Sequence, residues 1–303
     1  MEGALWGLGA AFGFGVGDFI ARFTSRRMGA ELSLLVVIFL GFAGFSVWLF
    51  WPTANLLQES DFYNFFTGRG LLFAIAAGAT NVFGLLALYK ALARGPVSLA
   101  APIVSAYPAV VLLYLLPFGF VPGAVQLFGI VATLGGVALL SRLAESQEQT
   151  QDGDSQKSHA STIRISLVSM CLVALGVLFS QEVALLHGPI LSTWAMRGFG
   201  LLFILVWILR FHRDDFARTS LAPQGIRIAL IAQAALEAAG NLFLLLSSEG
   251  DGRPLAAVFA STFAVVVVLL GWIVLRERIT FAQWISMAVI LLGVMILSAV
   301  QPL

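Results

Sequence analysis

Charge is scarce in this sequence. Of 303 residues only 11% are Asp, Glu, Lys or Arg, against 59% hydrophobic, whereas a soluble domain is about a quarter charged and about half apolar. With a mean hydropathy of +0.95, too little polar surface exists to coat a globule in water. A net charge of +1 supplies no field to gather an anionic polymer, so nucleic-acid binding is excluded. One cysteine, Cys171, excludes an intrachain disulfide. His159, His187 and His212 have no partner at metal-ligand spacing, so no metal is expected. No HExxH, Walker loop or Gly-x-Ser-x-Gly occurs, and Gly13-x-Gly15-x-Gly17 lacks dinucleotide spacing. The chain is therefore expected to be neither an enzyme nor a cofactor carrier, and it holds no ATP-driven motor.

What it has in excess is apolar runs. A bilayer core about 30 Å thick takes roughly 20 apolar residues per helix. Leu32–Trp51, Gly70–Tyr89, Pro254–Leu275 and Ile279–Leu303 are charge-free runs of that kind. Gly95–Ser141 is also charge-free, and Pro117, Pro122 and Gly123 divide it into two helices. Spans near 3–21, 165–186, 190–209 and 224–248 tolerate the buried charges Asp18, Glu182, Arg197 and Glu237. The first span lacks a basic n-region and is expected to stay rather than be cleaved. The reading is an all-α integral membrane protein with ten transmembrane helices and the lipid bilayer as its first partner. Arg142–Thr162 is rich in Gln, Ser, Asp and Glu without an apolar face, which predicts a solvated linker. The domains are then 1–141, a linker over 142–163, and 164–303.

The two sides of that linker resemble each other. Ala79-x-Asn81-x-Phe83-x-Leu85-Leu86 recurs as Ala239-x-Asn241-x-Phe243-x-Leu245-Leu246. Gln126-x2-Gly129-x6-Gly136-Val137 recurs as Gln283-x2-Ser286-x6-Gly293-Val294. Gly29, Ser33 and Trp48 match Gly188, Ser192 and Trp207. With five helices per half, an odd number, the second half must enter the membrane from the opposite side. Two inverted five-helix repeats are the architecture of many secondary transporters, with the site near the midplane where the halves meet.

This pattern resembles the drug/metabolite transporter superfamily, and its EamA-type members in particular. Leu275-Arg276-Glu277-Arg278-Ile279-Thr280, followed by Gln283 and Gly293-Val294, is similar to that family's Glu-Arg-x-Thr turn before the last helix. The first half departs from it, with Phe118-Gly119-Phe120-Val121-Pro122 in the equivalent place. The resemblance implies a permease of the cell (inner) membrane that moves a small metabolite by alternating access, with export of an amino-acid-like compound as the substrate reading it suggests. Efflux of lipophilic cations is the alternative within transport. A membrane-embedded enzyme or a non-transporting scaffold is the rival from another class.

Orientation follows from the loops. Of the 17 Lys and Arg residues, fourteen fall in the loops after odd-numbered spans, while Arg69 and Arg253 fall on the other side and Arg197 lies inside a span. The positive-inside rule then places both termini outside the cytoplasm, although the family resemblance implies termini within it.

Ionisable groups deep in a helix cost about 2.5–3.5 kcal/mol on insertion scales and should face a partner or a wet cavity. Glu237 lies roughly 16 Å along the eighth span, with Asn241 one turn on along the same face. Arg197 lies about 10 Å inside the seventh span and needs an anion: Glu237, Glu182 or a substrate carboxylate. These three, with Asn81, Tyr107 before Pro108, Ser261 and Trp194, are the candidate substrate contacts or their ionic neighbours. Broken helices at the repeat interface point the same way, since Pro102 and Pro108 each free a carbonyl. Glu237, Glu182 and Asp18 are the coupling or gating candidates, with protons as the candidate coupling ion. Each has a structural alternative: an Arg197–Glu237 pair, an interfacial Glu182 and Trp194, and an i,i+4 pair of Asp18 with Arg22. Glu277 reads as a structural member of the last turn. Lys90 and Arg94 read as interfacial anchors, with a cytoplasmic gate as the alternative.

Overall fold

The computed structural model describes residues 2–50, 64–66, 68–148, 153–212, 223–247, 260 and 262–300. Among these residues every regular element is a helix. The first half holds α1 (Glu2–Met28), α2 (Ala30–Leu49), α3 (Arg69–Arg94), α4 (Val97–Ser105), α5 (Tyr107–Leu115) and α6 (Ala124–Glu148). The second holds α7 (Gly153–His187), α8 (Pro189–Phe211), α9 (Gln224–Ser247), α10 (Phe263–Val274) and α11 (Phe281–Val300). Eight segments are long and apolar enough to cross a bilayer, α4 and α5 together forming one of them. The two helices outside that set are α1, which carries Asp18, Arg22, Arg26 and Arg27, and α10, which has 12 residues.

Residues matched in the sequence repeat do the same local work in each half. Gly29 and Gly188 stand at φ +88° and +82°, a left-handed conformation that glycine adopts without steric cost. Each accepts the N–H of its matched serine, Ser33 at 3.1 Å and Ser192 at 3.2 Å, so one residue ends a helix and opens the next. The matched glutamines open α6 and α11. Gln126 Oε1 accepts the Gly123 N–H at 2.9 Å, and Gln283 Oε1 accepts the Thr280 N–H, also at 2.9 Å. This is the side-chain half of a capping box, which satisfies a backbone donor that the helix start would leave bare.

Packing repeats too. Helix α3 lies along α7 and α1 along α9, while α6 and α11 pack on each other. At the α6–α11 crossing, a Cβ on Gly136 would meet Ile290 and the Ser286 carbonyl, and one on Gly293 would meet Thr133 and the Gly129 carbonyl. Ser286 and Ile290 occupy the places in the second half that Gly129 and Thr133 occupy in the first, so the contact is reciprocal. Small residues at such crossings let backbones approach in the absence of a hydrophobic drive between helices.

The fourth span is the centre of the bundle: Val97–Phe118 is 72% buried, against 28–44% for the other seven segments. Every residue of α4 is buried. The span breaks at Ala106, between Pro102 and Pro108, as the two prolines lead one to expect. Ser105 Oγ donates to the Pro102 carbonyl at 2.9 Å and so satisfies an acceptor near the break. The turn expected at Pro117–Gly123 is a 3₁₀ turn over Leu116–Phe118, closed by Gly119 at φ +90°.

Two stretches are more helical than composition suggests. Helix α1 runs to Met28, past the expected end at 21, and α7 begins at Gly153. With α6 continuing to Glu148, most of segment 142–163 is helical. Long helices carried into polar sequence lose no backbone bonds, and Gln, Glu, Lys and Arg are good helix formers.

The reciprocal crossing yields a test. Gly136→Leu and Gly293→Leu should each lower the thermal midpoint of purified protein, by the equivalent of about 1–3 kcal/mol of overpacking. Gly135→Ala, where a Cβ meets nothing within 4 Å, should leave the midpoint unchanged or raise it.

Candidate functional site in the central cavity

Helices from both halves enclose a cavity of about 450 Å³. Asp18 comes from α1, Asn81 from α3, Tyr107 from α5, Arg197 from α8, and Glu237 and Asn241 from α9. Five of the expected substrate contacts are thus brought together, with Asp18 beside them. Trp194 does not line the cavity; its indole donates to Ser46 Oγ at 3.0 Å and its ring packs 5.7 Å from Phe42. Glu182 is exposed and absent from the lining, where its neighbour Gln181 stands instead. Ser261 lies outside the described residues. Phe14, Phe263 and Ser298 also line the cavity, and sequence reasoning did not select them.

Glu237 is 9% exposed and is held by a hydrogen-bonded chain that crosses four helices. Tyr89 Oη donates to Glu237 Oε1 at 2.8 Å, and Gln233 Nε2 donates to Tyr89 Oη at 2.6 Å. Thr24 Oγ1 donates to Gln233 Oε1 at 3.0 Å, and Ser33 Oγ donates to Thr24 Oγ1 at 2.7 Å. The donors all point toward the carboxylate, so Oε1 is committed as an acceptor. Tyr89, Thr24, Ser33 and Gln233 are each 0% exposed. A buried polar chain of this kind is tolerable because its members are satisfied in sequence. Sequence reasoning missed Tyr89 because its partners lie 148 and 144 residues away. The i,i+4 placement of Gln233 and Glu237 was the signal available.

The opposite charge stands on α8. The guanidinium of Arg197 lies over Gly41 of α2, where a side chain would strike Nη1. Among the described residues Arg197 and Glu237 share the cavity without an ion pair within 4.0 Å. Asn241 Nδ2 donates to the Glu237 carbonyl at 2.7 Å, leaving the amide oxygen as its remaining acceptor. The cavity therefore offers a planar cationic fork and two carboxyl groups, bounded by aromatic and aliphatic walls. Such a lining can receive a molecule that carries both an anionic and a cationic group.

The expected i,i+4 pair of Asp18 with Arg22 is not formed. Arg22 Nη1 donates instead to the Gly95 carbonyl at 2.6 Å and to Glu277 Oε1 at 3.2 Å. Glu277 also accepts the Val97 N–H at 2.9 Å and the Ser98 N–H at 3.0 Å. An acid from the turn before α11 thus caps α4, where a negative charge favours the helix dipole. Lys90, expected as an interfacial anchor, pairs with Glu31 at 2.7 Å.

Tyr89→Phe should lower the thermal midpoint by the equivalent of about 1–3 kcal/mol, because Gln233 and Glu237 lose a buried partner. A part-buried contact gives the comparison. Ser46→Ala, which removes only the acceptor for Trp194, should cost less in the same thermal assay.

No curated protein matches the sequence. A solved structure described only as "Crystal structure of protein" covers 97% of this chain and 95% of its own, at 14% identity and a TM-score of 0.57. That likeness concerns the fold alone. The model of the EamA-like transporter family matches residues 1–142 and 161–299, taking in both halves and leaving out the segment between them. With apolar helices, a two-repeat pattern and both halves matched, the chain is a multi-pass membrane protein and belongs to the EamA-like transporter family.

Proposed function

We propose that the protein is a secondary transporter of the cytoplasmic membrane that exports a small zwitterionic, amino-acid-like metabolite by alternating access. The observation that carries this reading is the central cavity, walled by both halves, with Arg197 separated from Asp18 and Glu237. The Arg fork holds a carboxylate bidentately, and the acids accept an ammonium. Lipophilic-cation efflux explains the two acids but leaves Arg197 without an anion. The ten spans form two inverted five-helix repeats joined through segment 142–163. The matched work of Gly29 with Gly188, Gln126 with Gln283, and Gly136 with Gly293 supports that reading. Both termini lie outside, in accord with the loop charges.

Transport couples to protons through Glu237 in this proposal. The empty carboxylate is held by Tyr89, and its free oxygen takes up the proton or the substrate ammonium. Among the described lining residues Asp18 and Arg197 are the other charged groups, so each adjusts that exchange.

Metabolite profiling of cells overproducing the protein should show an amino-acid-like compound accumulating in the medium. With that compound as substrate, Glu237→Gln should abolish the pH dependence of transport while the protein still folds. Arg197→Lys should raise KM at least several-fold, since an ammonium lacks the planar fork. Unchanged rate and pH profile in Glu237→Gln would overturn the coupling role. A periplasm-active reporter fused after Leu303 should be functional, and a cytoplasm-active one should be silent.

A further inference from the structure

The charged side chains that meet in the central cavity are unequally served. Glu237 has Tyr89 on one oxygen. Arg197 and Glu237 are close enough for their opposite charges to attract, without forming an ion pair. Asp18 is the odd group. It is 9% exposed and lines the cavity, yet among the described residues its carboxyl makes no hydrogen bond and no ion pair. Arg22, one turn along α1, is engaged with Gly95 and Glu277 instead. Among the described residues, the charge that acts on Asp18 is Glu237, which has the same sign.

Placement separates these groups. Helix α1 packs along α9, and a Cβ on Gly17 would stand 3.5 Å from Glu237 Cγ, so the two acids come from neighbouring helices. Helix α8, which carries Arg197, packs on α2, α3 and α7. Leu85, Leu88 and Phe263 supply apolar wall to the same cavity. A buried carboxylate without a partner is expensive, and a like charge nearby adds to the cost. A zwitterion gives its carboxylate to the Arg197 fork and its ammonium to the free oxygen of Glu237. Among the described lining residues two charges are negative and one is positive. A zwitterion therefore leaves one negative charge over, and a ligand of net charge +1 leaves none.

We infer that the compound this cavity receives carries one carboxylate and two cationic groups, as a basic amino acid does, with Asp18 taking the second cation. The inference rests on the amino-acid-like reading proposed above and narrows its substrate class. Asp18 is then the residue that sets specificity between basic and neutral amino acids, and the apolar wall receives the methylenes between the charged ends.

The test uses the full chain purified in a neutral detergent, with Kd measured for lysine, ornithine and arginine. Norleucine, which lacks the second cation, and cadaverine, which lacks the carboxylate, are the comparisons. The tightest of the basic amino acids should bind better than either by about tenfold or more, because each comparison leaves a buried charge unpaired. Asp18→Asn should bring the ratio of the norleucine and basic amino-acid Kd values close to one. Asp18→Glu should keep most of the preference, which separates loss of charge from loss of fold. Norleucine bound as tightly as the basic amino acids would overturn the inference, one ammonium then serving both acids, and would leave the zwitterion reading standing. A folded Asp18→Asn variant with an unchanged ratio would overturn the inference in the same way. Cadaverine bound as tightly as lysine would overturn the carboxylate role of Arg197, and with it the amino-acid-like reading. Binding of none of these amino acids would overturn both.

Discussion

One carboxylate ties the two halves together at the charged end of the bundle. Glu277 gathers the guanidinium of Arg22 from α1 and the first two N–H groups of α4. Arg22 also donates to the Gly95 carbonyl, and charge-assisted bonds such as those to Glu277 are roughly twice as strong as neutral ones. The surrounding residues make room for the contact. A Cβ on Gly271 would meet Val97 and come within 3.2 Å of Glu277 Oε2, so α10 can approach only with glycine there. Thr280 and Gln283 then start α11 three residues later. The Glu-Arg-x-Thr turn is therefore a structural device: an acid that caps a distant helix, followed by a capping box for its own.

The two halves are alike in scaffold and unlike in chemistry. Matched glycines and glutamines set helix ends and crossings in both, because those tasks depend on backbone geometry that duplication preserves. The charged groups are not matched. Glu237 stands where the first half has Ala77, and Gln233 where it has Phe73. Glu277 faces Phe120 in the same comparison. Polar chemistry in a low-dielectric interior is expensive, and among the described residues the hydrogen-bonded chain that ends on Glu237 has no counterpart at the matched positions of the first half. The first half contributes the supporting hydroxyls, from Thr24, Ser33 and Tyr89.

Legibility in the sequence followed the range of each interaction. Apolar runs, turn residues and the repeat are local or periodic, and they located the helices and the reciprocal crossing motif. Glu237, Arg197 and Asp18 were legible because a charge in an apolar run stands out against its neighbours. Asn81, Asn241 and Tyr107 were legible through the repeat and the proline break. Tyr89 was not, since a tyrosine near a span end looks like an interfacial residue until its long-range partners are known. The partner of Arg22 was missed for a related reason. Residue 18 lies one helical turn away and residue 277 is distant in sequence, yet tertiary packing brought Arg22 to Glu277. The polar stretch 142–163 reads as a solvated linker from its composition, and helix propensity carries helices across most of it.

The broken fourth span relates the pinned end to the cavity. Val97 and Ser98 at the start of α4 are held by Glu277, and Tyr107 and Pro108 at the start of α5 line the central cavity. Between them lie the other seven residues of α4, all buried, and the break at Ala106. A helix that short and that tightly enclosed moves as a unit, since close-packed interiors transmit displacement instead of absorbing it. The break supplies the compliance, because Pro102 and Pro108 have already removed two of the bonds that would keep the span straight. Tyr107 on the cavity wall and the capped Val97 therefore lie on either side of the same short helix. A span placed at the surface could not connect the two, because lipid on one side would leave the freed carbonyls unsatisfied.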